Sequence, residues 1–299
     1  PMVNYIRTIE LFGQLIRDWP DSKMLDGAYY MQGYCLSGME QDEKAQANFK
    51  FLVEKYPDSI FAQESWWRIG EYHFDAGQLN AAIAAYKKVI EDKEGRFYDK
   101  GLYKLAWSYF RDDRYPLAIQ RFTELLLYSE ALKKKEGRES DLVQESIQYL
   151  AISLQEEDWD DDGEPDEDSG LVRLQRYLDE GHAHESKVVK AIVTLLFDNA
   201  RYEDMVVTAR HYMDRYPNDP KNPMIHDQLI NALSRLRMYE EAFQEREVFA
   251  RRYGKNSSWY TANEDNEEAI DQATVLVETA LITSAQKFLR DARKAEDLF

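Results

Sequence analysis

The sequence predicts an all-α solenoid of antiparallel helix pairs closed by a C-terminal capping helix, and three observations predict it. Small and large apolar residues recur with one period at four independent positions. Each period holds two stretches of apolar residues at helical spacing. Proline-containing turns separate the periods and little else interrupts them, since the 299 residues include only 13 Gly and 8 Pro.

The period is read directly. Gly33, Gly70 and Ala106 are 37 and 36 residues apart, and so are Ala45, Ala82 and Ala118, Phe49, Tyr86 and Phe122, and Leu52, Val89 and Leu125. Where the first helix of a pair (A) crosses the second (B), a small residue lets the backbones approach, hence Gly70 and Ala82. Large residues three or four positions away fill the space beside that contact. One pair cannot bury its apolar face alone, so pairs must stack.

Taken in order, the chain opens in a B-type helix, with Ile9, Phe12, Leu15 and Ile16 at helical spacing up to Pro20. Three full repeats follow at 24–57, 61–94 and 98–129. Tyr56-Pro57-Asp58-Ser59 closes the first: proline stops a helix, and Asp or Ser caps the next. The fourth repeat is irregular, with helices at 142–154 and 171–178 around an acidic insertion at 156–169. Regularity then returns. Met205 and Ala242, Tyr202 and Tyr239, and Tyr212 and Phe249 are each 37 apart, and Tyr216-Pro217-Asn218-Asp219 repeats the closing turn. Repeats five and six cover 186–217 and 222–254. A long helix over 264–299, carrying Ile270, Ala273, Val277, Leu281 and Phe288, packs on or extends a solenoid formed by 1–263.

Composition narrows the function. A net charge of −18 and a pI near 4.8 argue against nucleic acid, whose phosphates need a Lys/Arg surface. The one cysteine, Cys35, gives neither an intramolecular disulfide nor a cysteine-based zinc site. It reads as a buried, inert thiol. The longest apolar run, residues 188–197, contains Lys190 and falls short of the ~20 residues a membrane span needs. No signal peptide is visible, but the chain opens Pro-Met-Val and runs straight into a helical pattern, as an excised piece of a longer protein would. A lipid anchor outside this stretch is therefore compatible with it. No phosphate-binding glycine loop, kinase motif or nucleophile elbow occurs. His182-x-His184 lacks a patterned third ligand, and His73 reads as a core histidine.

The segment Trp66-x-x-Ile69-Gly70-x-x-His73-Phe74, followed by Ala82-Ile83-x-x-Tyr86 and Val89-Ile90, resembles the tetratricopeptide repeat. That resemblance implies a right-handed superhelix whose A helices line a concave groove that binds protein. On this frame Tyr30, Trp67 and Tyr103, then Tyr34, Glu71 and Trp107, then Phe74 and Phe110 fall on the groove-facing stripe. They are the expected contacts for a partner peptide or helix. The same positions also suit padding between neighbouring helices. The repeat length and the Tyr-Pro turns are similar to tetratricopeptide proteins of Gram-negative envelopes, such as the lipoprotein of the barrel-assembly machine and the Tol-Pal-associated coordinator. The stretch Lys104–Phe110 resembles repeat proteins of gliding and predatory bacteria.

The acidic insertion carries ten carboxylates in the thirteen residues 156–168. Asp158, Asp160, Asp162 and Asp166 occupy positions one, three, five and nine of a D-x-D-x-D-G-x-x-D calcium pattern, with Gly163 at six. Alternate residues of a tight loop aim oxygens inward, as a hard cation requires. Glu164 offers its backbone carbonyl. Position twelve is Ser169 rather than a bidentate Glu, so Asp168 or an outside carboxylate would complete the shell. The expected cofactor is thus calcium; the bland alternative is a solvated acidic loop.

The reading that follows is a non-enzymatic scaffold or adaptor in a bacterial envelope, motility or secretion complex. It would be periplasmic or outer-membrane-associated, although Cys35 suits the cytoplasm too, and a monomer or part of a hetero-complex. A regulatory region of a larger multidomain protein and a purely structural spacer are the alternatives.

Overall fold

A computed structural model of the chain describes residues 4–160, 163–164 and 168–296, and every regular element among them is a helix. The chain divides into two compact units, residues 1–166 and 167–299. The division falls in the acidic insertion. That segment offers one large apolar side chain for burial, Trp159, whereas the C-terminal helix is packed into the second unit.

The first unit contains α1 (Ile6–Asp18), α2 (Leu25–Ser37), α3 (Asp42–Lys55), α4 (Ala62–Asp75), α5 (Leu79–Val89), α6 (Tyr98–Phe110), α7 (Tyr115–Glu136) and α8 (Val143–Ser153). Each helix packs on the next, so this unit is a solenoid of helix pairs after a lone B helix, as the period predicts. Helix α7 runs past the expected 129 to Lys133, Lys134 and Lys135, whose charges suit a helix C-terminus, and stops at Gly137 in the left-handed region.

The second unit contains α9 (Gly170–Leu174), α10 (Glu185–Asp198), α11 (Tyr202–Arg215), α12 (Asn222–Arg235), α13 (Tyr239–Tyr253), α14 (Ser258–Ala262) and α15 (Glu267–Glu296). Helix α9 is shorter than expected and is capped by the Ser169 hydroxyl, which accepts the Val172 N–H. Helix α14 was not legible in the sequence. A single buried residue, Trp259, holds it by donating its indole N–H to the Asp219 carbonyl at 2.8 Å. Helix α15 packs on α13 and α12.

All five regular A–B turns share one device. Glu40, Gly77, Asp113, Ala200 and Arg237 each adopt φ between 56° and 71°. The amide of the following residue bonds back to the A helix, as in Gln78 N–H to the His73 carbonyl and Met238 N–H to Leu233. This is a left-handed helix stop, which caps orphan carbonyls. Only one of the five is the glycine that fits it without strain.

Small residues at the helix crossing act differently from expectation. A Cβ added at Gly33 would sit 2.8 Å from the Phe49 ring, and one at Gly70 would sit 2.5 Å from the Tyr86 ring. The missing side chain makes room for an aromatic ring of helix B, not for its backbone. A second periodic device joins neighbouring repeats. Ser59 donates its hydroxyl to Asp26 at 2.6 Å, and Ser140 does the same to Asp99 at 2.8 Å. Between these two, Gln63 occupies the equivalent position; its amide donates to the Val89 carbonyl and accepts the Phe97 N–H.

Candidate partner-binding face

The A helices of the first unit bring the predicted residues into one row and add cations to it. Tyr34, on α2, is exposed, and the Arg68 guanidinium of α4 lies 4.7 Å from its ring centroid. Arg68 is held from behind by Glu64 at 2.7 Å. One turn further, Glu71 accepts the Tyr86 hydroxyl and pairs with Lys104 of α6 at 3.0 Å. Phe74 lies between two cations, Lys104 at 4.9 Å and Arg111 at 4.7 Å. Trp107 and Phe110 then meet Tyr149 of α8, with centroids 4.1 and 5.7 Å apart. The row crosses α2, α4, α6 and α8 without a gap.

Burial corrects part of the expectation. Tyr30 is buried, stacked on Phe61 with centroids 4.7 Å apart, and belongs to the core. Burial pushes its phenol up to about 12, with the Glu64 carboxylate reinforcing the shift. Trp67 rests on Phe97, and Tyr103 is set between Phe122 and Trp107, so each offers a partial surface. Burial, then the nearby Glu145, pushes the Tyr103 phenol up to about 12. The stripe is therefore both padding and surface: one edge of each ring seals the junction between repeats and the other meets solvent. Its chemistry is aromatic faces with cations over them, suited to a segment that brings both apolar side chains and carboxylates.

Arg68 and Lys104 escaped the sequence reading although they sit at the same repeat position, nine residues before the left-handed turn. That shared register was the available signal. Tyr149 was hidden by the irregular fourth repeat.

His73 is half-buried at the end of α4, with Nδ1 2.6 Å from the Gln78 amide oxygen, rather than in the core. Cys35 is buried, as expected. The His182 and His184 rings lie 5.7 Å apart. Of the acidic loop, Asp162 and Asp166 lie outside the described residues. Gly163 has φ 88°, as a sharp turn at position six requires, and donates its N–H to the Asp158 carboxylate at 3.1 Å. Asp168 pairs with Arg176. Among the described residues no three His, Cys, Asp or Glu side chains gather as a metal-binding group.

The second unit holds a charged cluster that no motif or spacing signals. His226 is fully buried under Phe249 and Tyr253. Its Nε2 lies 2.9 Å from Glu245, which also receives Arg210 at 2.9 Å, while Arg210 reaches Glu241 at 2.6 Å. The His226 hydrogen bond, then Arg210, holds the Glu245 carboxyl down at about 2.

Among the described residues no helix is long and apolar enough to cross a membrane. No curated protein matches the chain. A crystal structure of the C-terminal part of a tetratricopeptide repeat-containing protein from Cytophaga hutchinsonii aligns over 93% of this chain and 90% of its own, with 15% identity and a TM-score of 0.40. The tetratricopeptide repeat family matches residues 27–59, 64–92 and 100–128. These ranges are the pairs α2–α3, α4–α5 and α6–α7, so the family match and the structure divide this part of an all-α solenoid into the same three tetratricopeptide-like repeats.

Proposed function

We propose that the A-helix face of the first unit binds an extended or helical segment of another protein, and that the chain is a non-catalytic adaptor in a bacterial envelope, motility or secretion complex. The observation that carries the binding site is the unbroken row from Tyr34 through Arg68, Glu71, Lys104, Phe74 and Arg111 to Trp107. Aromatic and arginine side chains are what protein interfaces use as anchors. The envelope setting is supported by the likeness of the repeat length and closing turns to envelope proteins.

The variants that test it must spare the core. Tyr34 and Arg111 are exposed, so Tyr34→Ala with Arg111→Glu leaves the buried core intact. Affinity purification from the native host, with the recovered segment then titrated against both proteins, reads the effect. Affinity drops about tenfold or more on losing an anchor pair. Equal binding by the variant moves the partner elsewhere and leaves this face as packing.

Calcium belongs to the same proposal. Asp158, Asp160, Asp162 and Asp166, with the Glu164 carbonyl, would hold the ion, and Asp168 would trade Arg176 for it. Bound calcium would neutralise a run of like charge that otherwise repels itself. Support comes from the ligand spacing and from the left-handed Gly163 within it. The melting temperature in millimolar calcium should exceed that in chelator, and Asp158→Asn with Asp160→Asn should abolish the difference. Identical melting in both conditions leaves the segment a solvated acidic loop.

A further inference from the structure

Helix α15 spans thirty residues, about 45 Å. One face serves the second unit: Ala269, Ala273, Ala280 and Ser284 are buried, and Lys287 lies 3.8 Å from the Phe243 ring centroid while pairing with Glu240. The opposite face should be polar if it met only water. Instead Val275, Ile282 and Leu289 there are each more than half exposed, and so are Leu281 and Phe288 on the flank, although the Phe288 ring also meets Phe243 of α13 with centroids 5.2 Å apart. They recur in sevens, as Val275, Ile282 and Leu289 and as Leu281 and Phe288, with exposed Ala285 and Ala292 on the same side. A seven-residue apolar repeat is the seam of a two-helix pair, and such a stripe marks an interaction surface.

Charge selects the occupant and its direction. The first half of the exposed surface carries Glu267, Glu268, Asp271 and Glu278, and the second half carries Arg290 and Arg293 against one carboxylate, Asp291. Two such helices side by side in parallel would set like charges together. Antiparallel, each acidic half meets a basic one. The column Val275, Ile282 and Leu289 is also symmetric about its middle, with Val275 and Leu289 seven residues either side of Ile282.

We infer that α15 is the interface of a homodimer, in which the helices of two copies pair antiparallel about a twofold axis through Ile282. Val275 then lies opposite Leu289 of the second copy, and Asp271 opposite its Arg293. Both copies use the same patch, which closes the assembly at two.

Sedimentation equilibrium of the 299-residue chain tests this. Wild type should have the mass of two chains, and Ile282→Glu or Leu289→Glu the mass of one, with unchanged helical circular dichroism because both positions are exposed. Charge reversal gives the sharper arm. Asp271→Lys with Glu278→Lys, and separately Arg290→Glu with Arg293→Glu, should each be monomeric alone and form a one-to-one heterodimer when mixed. A monomeric wild type, including one whose stripe takes up a helix of another protein, overturns the inference. So does a dimer that survives Ile282→Glu, or a charge-reversed mixture that stays monomeric.

Discussion

The two units use one backbone plan and fill it in opposite ways. The left-handed turn residue gives a common origin: Glu40, Gly77 and Asp113 in the first unit, Ala200 and Arg237 in the second. Seven residues before it, the first unit has Gly33, Gly70 and Ala106, and the second has Val193 and Ile230. Nine residues after it, the first unit has Phe49, Tyr86 and Phe122, and the second has Ala209 and Arg246. The second unit's rings, Tyr212 and Phe249, stand at the position of Leu52, Val89 and Leu125. In α10 and α11 small-against-ring has become branched-against-small, while Ile230 and Arg246 hold those places in α12 and α13, and in both pairs the ring has moved one turn along. What must be conserved at a helix crossing is filled volume, and the residue types can be exchanged across it. This exchange removes the repeat's signature residues, and the family match stops with the first unit. The A-helix surface changes too: where Trp67 and Tyr103 stand, the second unit has Lys190 and Asp227.

The largest effect is expected at Gly70. Adding side chain there drives atoms into the Tyr86 ring, so Gly70→Val should destabilise the first unit by about 3 kcal/mol or more, and Tyr86→Ala by about 3–5 kcal/mol. If volume is what matters, the double variant, which imitates Val193 with Ala209, loses clearly less than the two single losses combined. Calorimetric melting of all three proteins gives the answer; strictly additive losses would show that the exchange needs more than these two positions.

A smaller effect should be confined to the second unit. Glu245 has its carboxyl depressed from an ordinary 4.5 to about 2. A lowered folded-state value stabilises fully above the ordinary value, and that contribution fades as the pH falls from about 4.5 toward 2. Partial exposure and screening reduce it to about 1–2 kcal/mol. Glu245→Gln should therefore lower the second unit's melting temperature at pH 7, with the gap from wild type closing in acid. A gap that is the same at pH 7 and pH 3 contradicts the ionic account.

The smallest effect has the opposite sign and should appear in both units. Ala200 and Arg237 hold a left-handed conformation at a cost of about 1 kcal/mol each. Ala200→Gly and Arg237→Gly should each stabilise by about 0.5–1 kcal/mol, read as a higher denaturant midpoint, and Gly77→Ala should destabilise by a similar amount.

Much of this was legible in advance. The 36–37-residue spacing located ten of the helices, because burying one face of every pair forces the same small and large residues to return at the same phase. It also placed Tyr34, Trp67, Glu71, Phe74, Tyr103, Trp107 and Phe110 on one row, since residues three or four apart share a helix face. Helix α14 was not legible, because one tryptophan in a polar stretch makes no periodic signal. Nor was the His226–Glu245–Arg210 cluster, which joins residues 16 to 35 positions apart.

The repeat, the all-helical class and the acidic character follow from spacing and composition within single helices, and so can be read along the chain. Packing between helices sets how far each ring of the A-helix row is covered, makes Tyr30 core and Tyr34 surface, and leaves α15 with an apolar face in solvent. The physical reason is that exposure is fixed by what the next helix brings. Phe61 covers Tyr30, Tyr149 covers part of Trp107, and no described helix covers Ile282; these are properties of neighbours, which a pattern of residues along one helix does not contain.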